Sequence, residues 1–426
     1  MKKLKGLRWW IIGMIGLATV INYIDRSLLP VMWPSISKDL GMTKVQYSII
    51  INVFMVSYAI GQSITGKFFD KIGTRIAYVF TISVWAISSM LHSLARGVLS
   101  FSFLRATLGI GQAGNWPGAV KNNKIWFPQN ERATAQGIFN AGASIGGVIA
   151  PPLIAVIWAA FGWKLTFLIC GSFGVIWILP WLIINKANPK KHPWITDKEK
   201  EMILENRRIE NGVEEGEEEE EKETLSIREI LSHKESWAVL IGRFFIEPIW
   251  WLFVGWMPIY LAEQYGFNVK QIGLFAWVPY VGAAIGSLTG GIFAGKLIDK
   301  GKSVNYARKM AITIGGLIMF SGLISTILFA NTALIFVIIT AFVLFGFQFT
   351  IGNIQTIPSD LFSGESVGSL AGVGGTIGVF SVIIMNFLVP IISKISYTPI
   401  FIMIAIFVPL GVLAVYIFAR NIRQVA

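Results

Sequence analysis

Charged residues are scarce in this chain of 426 residues. Only 14% of its residues are charged and 54% are hydrophobic, whereas soluble domains have about 25% charged residues. Cysteine is nearly absent too, since Cys170 is the single one. One cysteine excludes an internal disulfide and a cysteine-rich metal site. The sequence also lacks a zinc-protease H-E-x-x-H motif and a phosphate-binding P-loop. We therefore expect no metal ion and no cofactor.

Groups for catalysis are missing as well. An enzyme needs a nucleophile, an acid–base pair or a metal set, and the hydrophobic runs of this chain contain too few titratable residues. The sequence GIGQAG (109–114) has the spacing of a dinucleotide-binding motif, but it lies inside a hydrophobic run rather than between a strand and a helix. We predict that its glycines serve close helix packing and that the protein is not an enzyme.

Long hydrophobic runs are what the chain does have. A bilayer-spanning helix needs about 20 predominantly apolar residues. Twelve such runs cover approximately residues 9–31, 47–66, 76–95, 99–121, 133–158, 163–185, 236–262, 270–295, 309–329, 332–354, 366–392 and 396–419. Because lipid allows only helices and closed barrels, and barrel-type alternation is absent, we predict an all-α polytopic membrane protein with twelve transmembrane helices. The first run has no cleavage site, so we expect an uncleaved span.

Basic residues are distributed unevenly among the polar segments. The net charge of +12 would by itself suggest a nucleic-acid partner. Lysine and arginine are instead concentrated at the N-terminus and in alternate loops, while the opposite loops have isolated cations. By the positive-inside rule, we expect the basic loops, the central loop and both termini to lie in the cytoplasm. No nucleic-acid partner is expected.

One long polar segment divides the hydrophobic runs six and six. It covers residues 186–235 and includes the acidic block GVEEGEEEEEKET (212–224), which we expect to be solvated and disordered. We therefore predict a six-helix bundle over residues 1–185, a cytoplasmic acidic linker over 186–235 and a second six-helix bundle over 236–426.

Two short sequences recur at matching positions in the two halves. GKFFDK (66–71) follows the second run and is echoed by GKLIDK (295–300), while NAGASIG (140–146) in the fifth run is echoed by GVGGTIG (372–378). Such echoes indicate an internal duplication. Duplicated bundles of this kind bind a solute near the bilayer midplane and expose it alternately to each side. The pattern predicts a transporter.

Asp25 and Arg26 are adjacent charges inside the first hydrophobic run. Each costs roughly 2.5–3.5 kcal/mol at the centre of a membrane helix, so such residues usually serve a substrate or ion pathway. Arg26, and Arg105 in the fourth run, have planar guanidinium groups that suit a carboxylate, although the two arginines could instead pair with internal acids. Burial favours neutral Asp25, whereas Arg26 favours its ionised form. We expect Asp25 to couple proton binding to anion binding.

The motifs resemble those of the major facilitator superfamily. GKFFDKIGTR (66–75) and, more loosely, GKLIDKGKS (295–303) match its signature after the second span. NYIDR (22–26), LRATLGIGQAGNWPGAVK (104–121), WFPQNERATAQGIFNAGASIGGVIAPPL (126–153) and RFFIEPIWWLFVGWMPIYL (243–261) resemble its anion:cation symporter branch. The resemblance is greatest to bacterial hexuronate (glucuronate and galacturonate) transporters and covers nearly the whole chain except the acidic linker.

The resemblance implies functional roles for several residues. Family arginines matching Arg26 and Arg105 hold the substrate carboxylate, and tyrosines matching Tyr23 and Tyr58 contact the substrate in galactonate relatives. The family has a glutamate tied to proton coupling where this chain has Gln112. An amide can bind a sugar hydroxyl but cannot take up a proton.

The missing proton site leaves alternatives open. Asp25 alone could suffice, Glu247 in the seventh run could compensate, or coupling could be altered. Glu247 could equally form an i, i+4 ion pair with Arg243.

Further polar residues could recognise the hydroxyls of a sugar acid or hydrogen-bond neighbouring helices. These candidates are Gln62, Asn115, Asn140, Gln348 and Asn353. The signature segments contribute residues expected to act in conformational change: Gly66, Asp70, Arg75 and Asp299. Glycine there would permit close helix approach.

We expect a monomeric carrier in the bacterial inner membrane that imports a hexuronate-like anion with protons. The alternatives are transport of another organic monoanion, such as an aldonate (galactonate) or an aromatic acid, uncoupled transport or exchange, and a membrane sensor that binds a solute without moving it.

Overall fold

The structure is a computed structural model that describes residues 3–211, 225–362 and 366–423. These residues are almost wholly helical; outside the helices they contain a single β-bridge, between Leu4 and Ile195. The acidic block 212–224, for which disorder was predicted, lies outside the described residues.

The described residues before the central polar segment contain six α-helices. They are α1 (Leu7–Leu40), α2 (Lys44–Ile72), α3 (Thr74–Leu91), α4 (Val98–Ala113), α5 (Asn115–Trp126) and α6 (Gln129–Ile184). A short 3₁₀ turn, His92–Leu94, follows α3.

The described residues after Ile184 contain nine further helices. They are α7 (Asp197–Asn211), α8 (Ile227–Ser232), α9 (Lys234–Tyr265), α10 (Val269–Phe275), α11 (Val278–Asp299), α12 (Val304–Phe329), α13 (Ala333–Leu361), α14 (Ser366–Ile392) and α15 (Thr398–Phe418). The acidic linker is therefore partly helical, since α7 and α8 both lie within residues 186–235.

Ten helical segments of the described residues are long and apolar enough to cross a membrane, against twelve predicted spans. The fifth and sixth predicted spans are merged in α6, which is interrupted by a non-helical residue, Gly162 (φ 71°, ψ 174°).

The fourth predicted span is broken at Gly114 into α4 and α5. Pro117 has no N–H for the carbonyl of Ala113, and the Thr65 hydroxyl donates to that carbonyl instead, at 3.5 Å.

The described helices form two compact units. The first contains Met1–Met42 and Val53–Glu221, and the second contains Thr43–Asn52 and Lys222–Ala426. The start of α2 thus belongs to the second unit, where the Tyr47 hydroxyl donates to the carbonyl of Gly255 at 2.5 Å. The predicted boundaries at residues 185 and 236 stay predictions.

Glycines of NAGASIG (140–146) allow α6 to pack closely on α1 in the first unit. A Cβ atom at Gly142 would lie 2.5 Å from the carbonyl oxygen of Gly16, and one at Gly146 would lie 2.7 Å from Cβ of Tyr23. Only glycine therefore fits these two positions without a shift of the neighbouring helix.

The second unit repeats this arrangement between α14 and α9. A Cβ atom at Gly374 would lie 3.1 Å from Val239, and one at Gly378 would lie 3.2 Å from Glu247. The echo between residues 140–146 and 372–378 thus corresponds to the same kind of helix contact, fifth span against first, in each unit.

The linker helix α7 is bound to the start of α1 in the first unit. The buried Glu199 carboxylate accepts the backbone N–H groups of Gly6, Leu7 and Arg8 at 3.1, 3.2 and 3.2 Å, and Nη1 of Arg8 at 2.8 Å. It satisfies amide groups that a helix N-terminus leaves without partners, and its charge suits the positive end of the helix dipole. Arg8 also makes a two-bond ion pair with Glu131 at the start of α6.

Candidate functional site

Asp25 and Arg26 are both buried in α1, with 1% and 6% of their surfaces exposed. Successive residues of a helix point about 100° apart, so the two side chains face different neighbours. In this structure Arg26 is hydrogen-bonded to Gln112 and Asp25 to Ser89.

Arg26 lies among aromatic rings and one amide. Its Nε donates to Oε1 of Gln112 at 2.9 Å. Its guanidinium carbon lies 4.7 Å from the ring centre of Tyr58, 5.3 Å from that of Tyr23 and 5.5 Å from that of Phe54. Such cation–π contacts stabilise a charged group away from water. The structure thus brings together four predicted residues (Arg26, Gln112, Tyr23 and Tyr58), and adds Phe54, which the sequence did not single out.

Two glutamines orient this group. Gln112 is fully buried, and its Nε2 donates to the backbone carbonyl of Asn22 at 3.4 Å, which keeps its oxygen towards Arg26. Gln62 donates from Nε2 to the hydroxyl of Tyr58 at 3.1 Å. Both glutamines thus lie in the group around Arg26, and their roles in substrate binding stay predictions.

Asp25 faces α3 instead. Its Oδ1 accepts a hydrogen bond from Oγ of Ser89 at 2.7 Å, and both residues are 1% exposed. Arg105 of α4 is 3% exposed, and its charge acts on Asp25 and on His92. Arg26 is thus hydrogen-bonded to Gln112, whereas Arg105 interacts electrostatically with Asp25.

Sequence reasoning missed Ser89 and His92. His92 is fully buried, donates from Nδ1 to the carbonyl of Ser88 at 2.7 Å and stacks on Phe167 with ring centres 5.0 Å apart. The two residues are one helical turn apart at the end of the third predicted span. The signal in the sequence that could have identified them was a histidine inside an apolar run.

Two predicted asparagines lie elsewhere in the first unit. Asn115 is buried, donates to the hydroxyl of Thr19 at 3.0 Å and accepts at its backbone carbonyl from the Tyr78 hydroxyl at 3.1 Å. Asn140 is exposed, and its Oδ1 accepts from Gln136 at 3.1 Å. Neither is among the groups that contact Arg26 or Asp25.

In the second unit, the predicted residues lie near basic side chains. Glu247 is paired with Arg243 one turn earlier, with Nε and Oε2 3.4 Å apart. Buried Asn353 accepts from Nη1 of Arg308 at 3.3 Å, and the same arginine is paired with Asp360 at 2.9 Å. Gln348 is half-buried on α13.

The signature segments begin in the last turns of α2 and α11 and continue beyond these helices, so that Arg75 lies in the first turn of α3. Asp70 accepts from Nζ of Lys121 at 2.6 Å, and Arg75 donates to the carbonyl of Leu182 at 3.3 Å. Asp299 is exposed at the end of α11. The packing reason given for Gly66 is wrong for this structure, since a Cβ atom there would meet nothing within 4 Å.

The glycines of GIGQAG do serve close packing, as predicted. A Cβ atom at Gly109 would lie 2.2 Å from the Ser57 hydroxyl, and one at Gly111 would lie 2.8 Å from the backbone nitrogen of Trp85. In the part of the chain that the structure describes, no three histidine, cysteine or acidic side chains come together in a way that could hold a metal ion.

Residues 15–386 match the family model of the Major Facilitator Superfamily. The hexuronate transporter of Escherichia coli K12 is 32% identical over 99% of this chain and 96% of its own length. The galacturonate transporter of Dickeya chrysanthemi is 35% identical over 75% of this chain and 91% of its own length.

A solved structure agrees in fold. A bacterial homolog of the human lysosomal transporter Spinster, inward-facing and unoccupied, has a TM-score of 0.74 over 99% of this chain and 100% of that chain, at 16% identity. At that identity the likeness shows the fold alone. Together with the family match, it confirms the prediction of an all-α membrane fold and of a transporter rather than an enzyme. The chain is a multi-pass membrane protein that belongs to the major facilitator superfamily.

Proposed function

We propose that this protein imports a hexuronate or a similar sugar acid across the bacterial inner membrane by proton symport with alternating access. The observation that supports this most is the setting of Arg26, a buried guanidinium held by an amide and surrounded by three aromatic rings. The relatives named for hexuronate and galacturonate support the substrate class.

The chemistry around Arg26 suits a sugar acid. A guanidinium fork binds a carboxylate through two parallel hydrogen bonds. Tyr58, Gln62 and Gln112 supply hydroxyl and amide groups that both donate and accept, as sugar hydroxyls require. Aromatic faces such as those of Tyr23 and Phe54 pack against the apolar faces of a sugar ring. Arg105 is the second arginine that we assign to the carboxylate.

Asp25 is the residue to which we assign the proton. It is buried within the field of Arg105. Protonated Asp25 leaves the positive charge of Arg105 available to an anion, whereas ionised Asp25 opposes anion binding. Proton and anion therefore favour each other's binding, a reciprocal coupling between two sites. Glu247, paired with Arg243, is the reserve candidate.

The remaining assignments rest on the sequence. We place both termini and the basic loops in the cytoplasm by the positive-inside rule, with residues 1–185 and 236–426 as the two six-helix bundles of a monomer. Asn115, Asn140, Gln348 and Asn353 stay candidates for substrate contact, and Gly66, Asp70, Arg75 and Asp299 for the conformational change.

Uptake into proteoliposomes tests the proposal. Labelled glucuronate and galacturonate are supplied with and without an inward proton gradient to the unmodified protein and to Asp25→Asn. We expect the gradient to drive accumulation in the unmodified protein and Asp25→Asn to lose that response. Undiminished proton coupling in Asp25→Asn contradicts the role of Asp25, and no uptake of either sugar acid contradicts the substrate class.

A second candidate is an uncoupled carrier or exchanger of an organic monoanion such as an aldonate. Gln112 favours it, since an amide in place of the family's glutamate cannot take up a proton. In the same assay this candidate predicts exchange without accumulation, and accumulation in a Gln112→Glu variant.

A further inference from the structure

The two carboxylate oxygens of Asp25 have different surroundings. Oδ1 accepts the hydrogen bond from Ser89 at 2.7 Å, whereas Oδ2 is buried and has no hydrogen-bond partner among the described residues. A hydroxyl that donates to a carboxylate stabilises its ionised form. It also occupies a lone pair of the oxygen that it contacts, so an arriving proton finds Oδ2 available.

We propose that Ser89 is a positioning residue of the proton site, which directs the proton to Oδ2 of Asp25 and sets the pH at which Asp25 releases it. This inference rests on the proposed function, because it takes Asp25 to be the proton carrier. One proton adds to Oδ2 when the site is loaded and leaves from Oδ2 on release, and the Ser89 hydroxyl keeps its own proton throughout.

Other groups around Asp25 come from four helices. Arg26 on α1 is directed to Gln112 of α4. Arg105 of α4 and the thiol of Cys170 on α6 lie within electrostatic range of Asp25. His92 on α3 is held by its bond to the Ser88 carbonyl. Among the described residues, Ser89 is the neighbour that hydrogen-bonds to Asp25, so its substitution changes the carboxylate's hydrogen bonding and leaves these charges in place.

Ser88 provides a matched control on the same helix. It is as deeply buried as Ser89, at 1% exposed, and its hydroxyl donates to the backbone carbonyl of Leu104 at 2.6 Å. Ser88→Ala and Ser89→Ala therefore remove the same group from the same helix at the same depth, and only the second removes a donor from a carboxylate.

Infrared spectroscopy of the purified full-length protein follows the proton directly. The readout is the carboxylic-acid C=O band that Asp25→Asn abolishes, recorded as a function of pH without substrate. Removing a hydrogen bond that is donated to a carboxylate raises the midpoint of this titration by about one pH unit. We expect that shift in Ser89→Ala, no shift in Ser88→Ala, and a midpoint near that of the unmodified protein in Ser89→Thr, which keeps a hydroxyl.

Equal midpoints in Ser89→Ala and the unmodified protein overturn the inference, and so do equal shifts in Ser88→Ala and Ser89→Ala. A band of Asp25 that does not titrate overturns it as well. The proposed function fails separately, since a titration that behaves as expected in a protein without gradient-driven sugar-acid uptake leaves the Ser89 role standing and removes the transport proposal.

Discussion

At the scale of single residues, the adjacent positions Asp25 and Arg26 have different hydrogen-bond partners in the first unit. Arg26 contacts Gln112 and three rings, while Asp25 contacts Ser89. An arginine can therefore hold an anion without a direct hydrogen bond to the residue that takes the proton. The charge of Arg105 acts on Asp25, and it is the means by which we propose that anion and proton binding are coupled.

The role of the planar guanidinium of Arg26 in binding a carboxylate can be tested by a substitution that keeps the positive charge. Arg26→Lys replaces a planar group, matched to a carboxylate, by a point charge. We expect glucuronate to bind about tenfold or more weakly, as measured by calorimetric titration of the purified protein. Arg96→Lys, at an exposed arginine between α3 and α4, is the control and should leave affinity unchanged. Equal affinity of Arg26→Lys and the unmodified protein would contradict the carboxylate role.

At the scale of elements, the contact between α1 and α6 depends on glycine. Gly146→Ala would bring a Cβ atom within 2.7 Å of Tyr23, and overpacking of this kind costs about 1–3 kcal/mol of unfolding free energy. Gly137 lies on the same helix with nothing within 4 Å of its Cβ position, so Gly137→Ala should be neutral or slightly stabilising. Denaturant unfolding in detergent compares the two, and equal effects would show that the close contact is not needed.

The segment between α6 and α7 should respond to acid through His192. Its Nε2 donates to the carbonyl of Ile184 at 2.9 Å and its Nδ1 accepts from Trp194 N–H at 3.2 Å, an arrangement that requires the neutral ring. Burial lowers the pKa of His192, with the charge of Lys186 acting in the same direction. A lowered pKa means that the stabilisation is complete above the unfolded pKa of about 6.5.

That stabilisation is lost as the pH falls below about 6.5 towards the lower folded value. Thermal unfolding between pH 7.5 and roughly pH 5 should therefore show a decline that is smaller in His192→Gln, which cannot be protonated. A decline of the same size in both proteins would assign the acid sensitivity to other groups.

At the scale of the whole molecule, proton and anion binding should be linked in both directions. If protonation of Asp25 favours the anion, then the anion must favour protonation by the same factor. Adding glucuronate to the purified protein in weakly buffered solution should draw protons from the solution, seen as a rise in pH with an indicator dye. Asp25→Asn should bind without this rise. A rise of equal size in that variant would locate the proton elsewhere, with Glu247 the next position to change.

Much of this molecule could be predicted from the sequence, because hydrophobic length is an additive property of a segment. The twelve predicted runs are mostly helical, although the fourth and the eighth are each divided between two helices, and Arg26, Tyr23, Tyr58 and Gln112 lie together. What could not be predicted depends on helix rotation and on partners far away in the chain. Whether Asp25 faces Arg26 or Ser89 is decided by such rotation, and the continuation of α2 through residue 72 is not signalled by hydropathy.

The bond between Glu199 and the start of α1 has a consequence for the order of synthesis. The start of α1 acquires this acceptor only when translation has passed the six predicted spans of the first half and has reached Glu199. Until then its first amide groups depend on water or lipid headgroups. The first unit thus becomes complete at a late moment of its own translation, when α7 folds back onto the beginning of the chain.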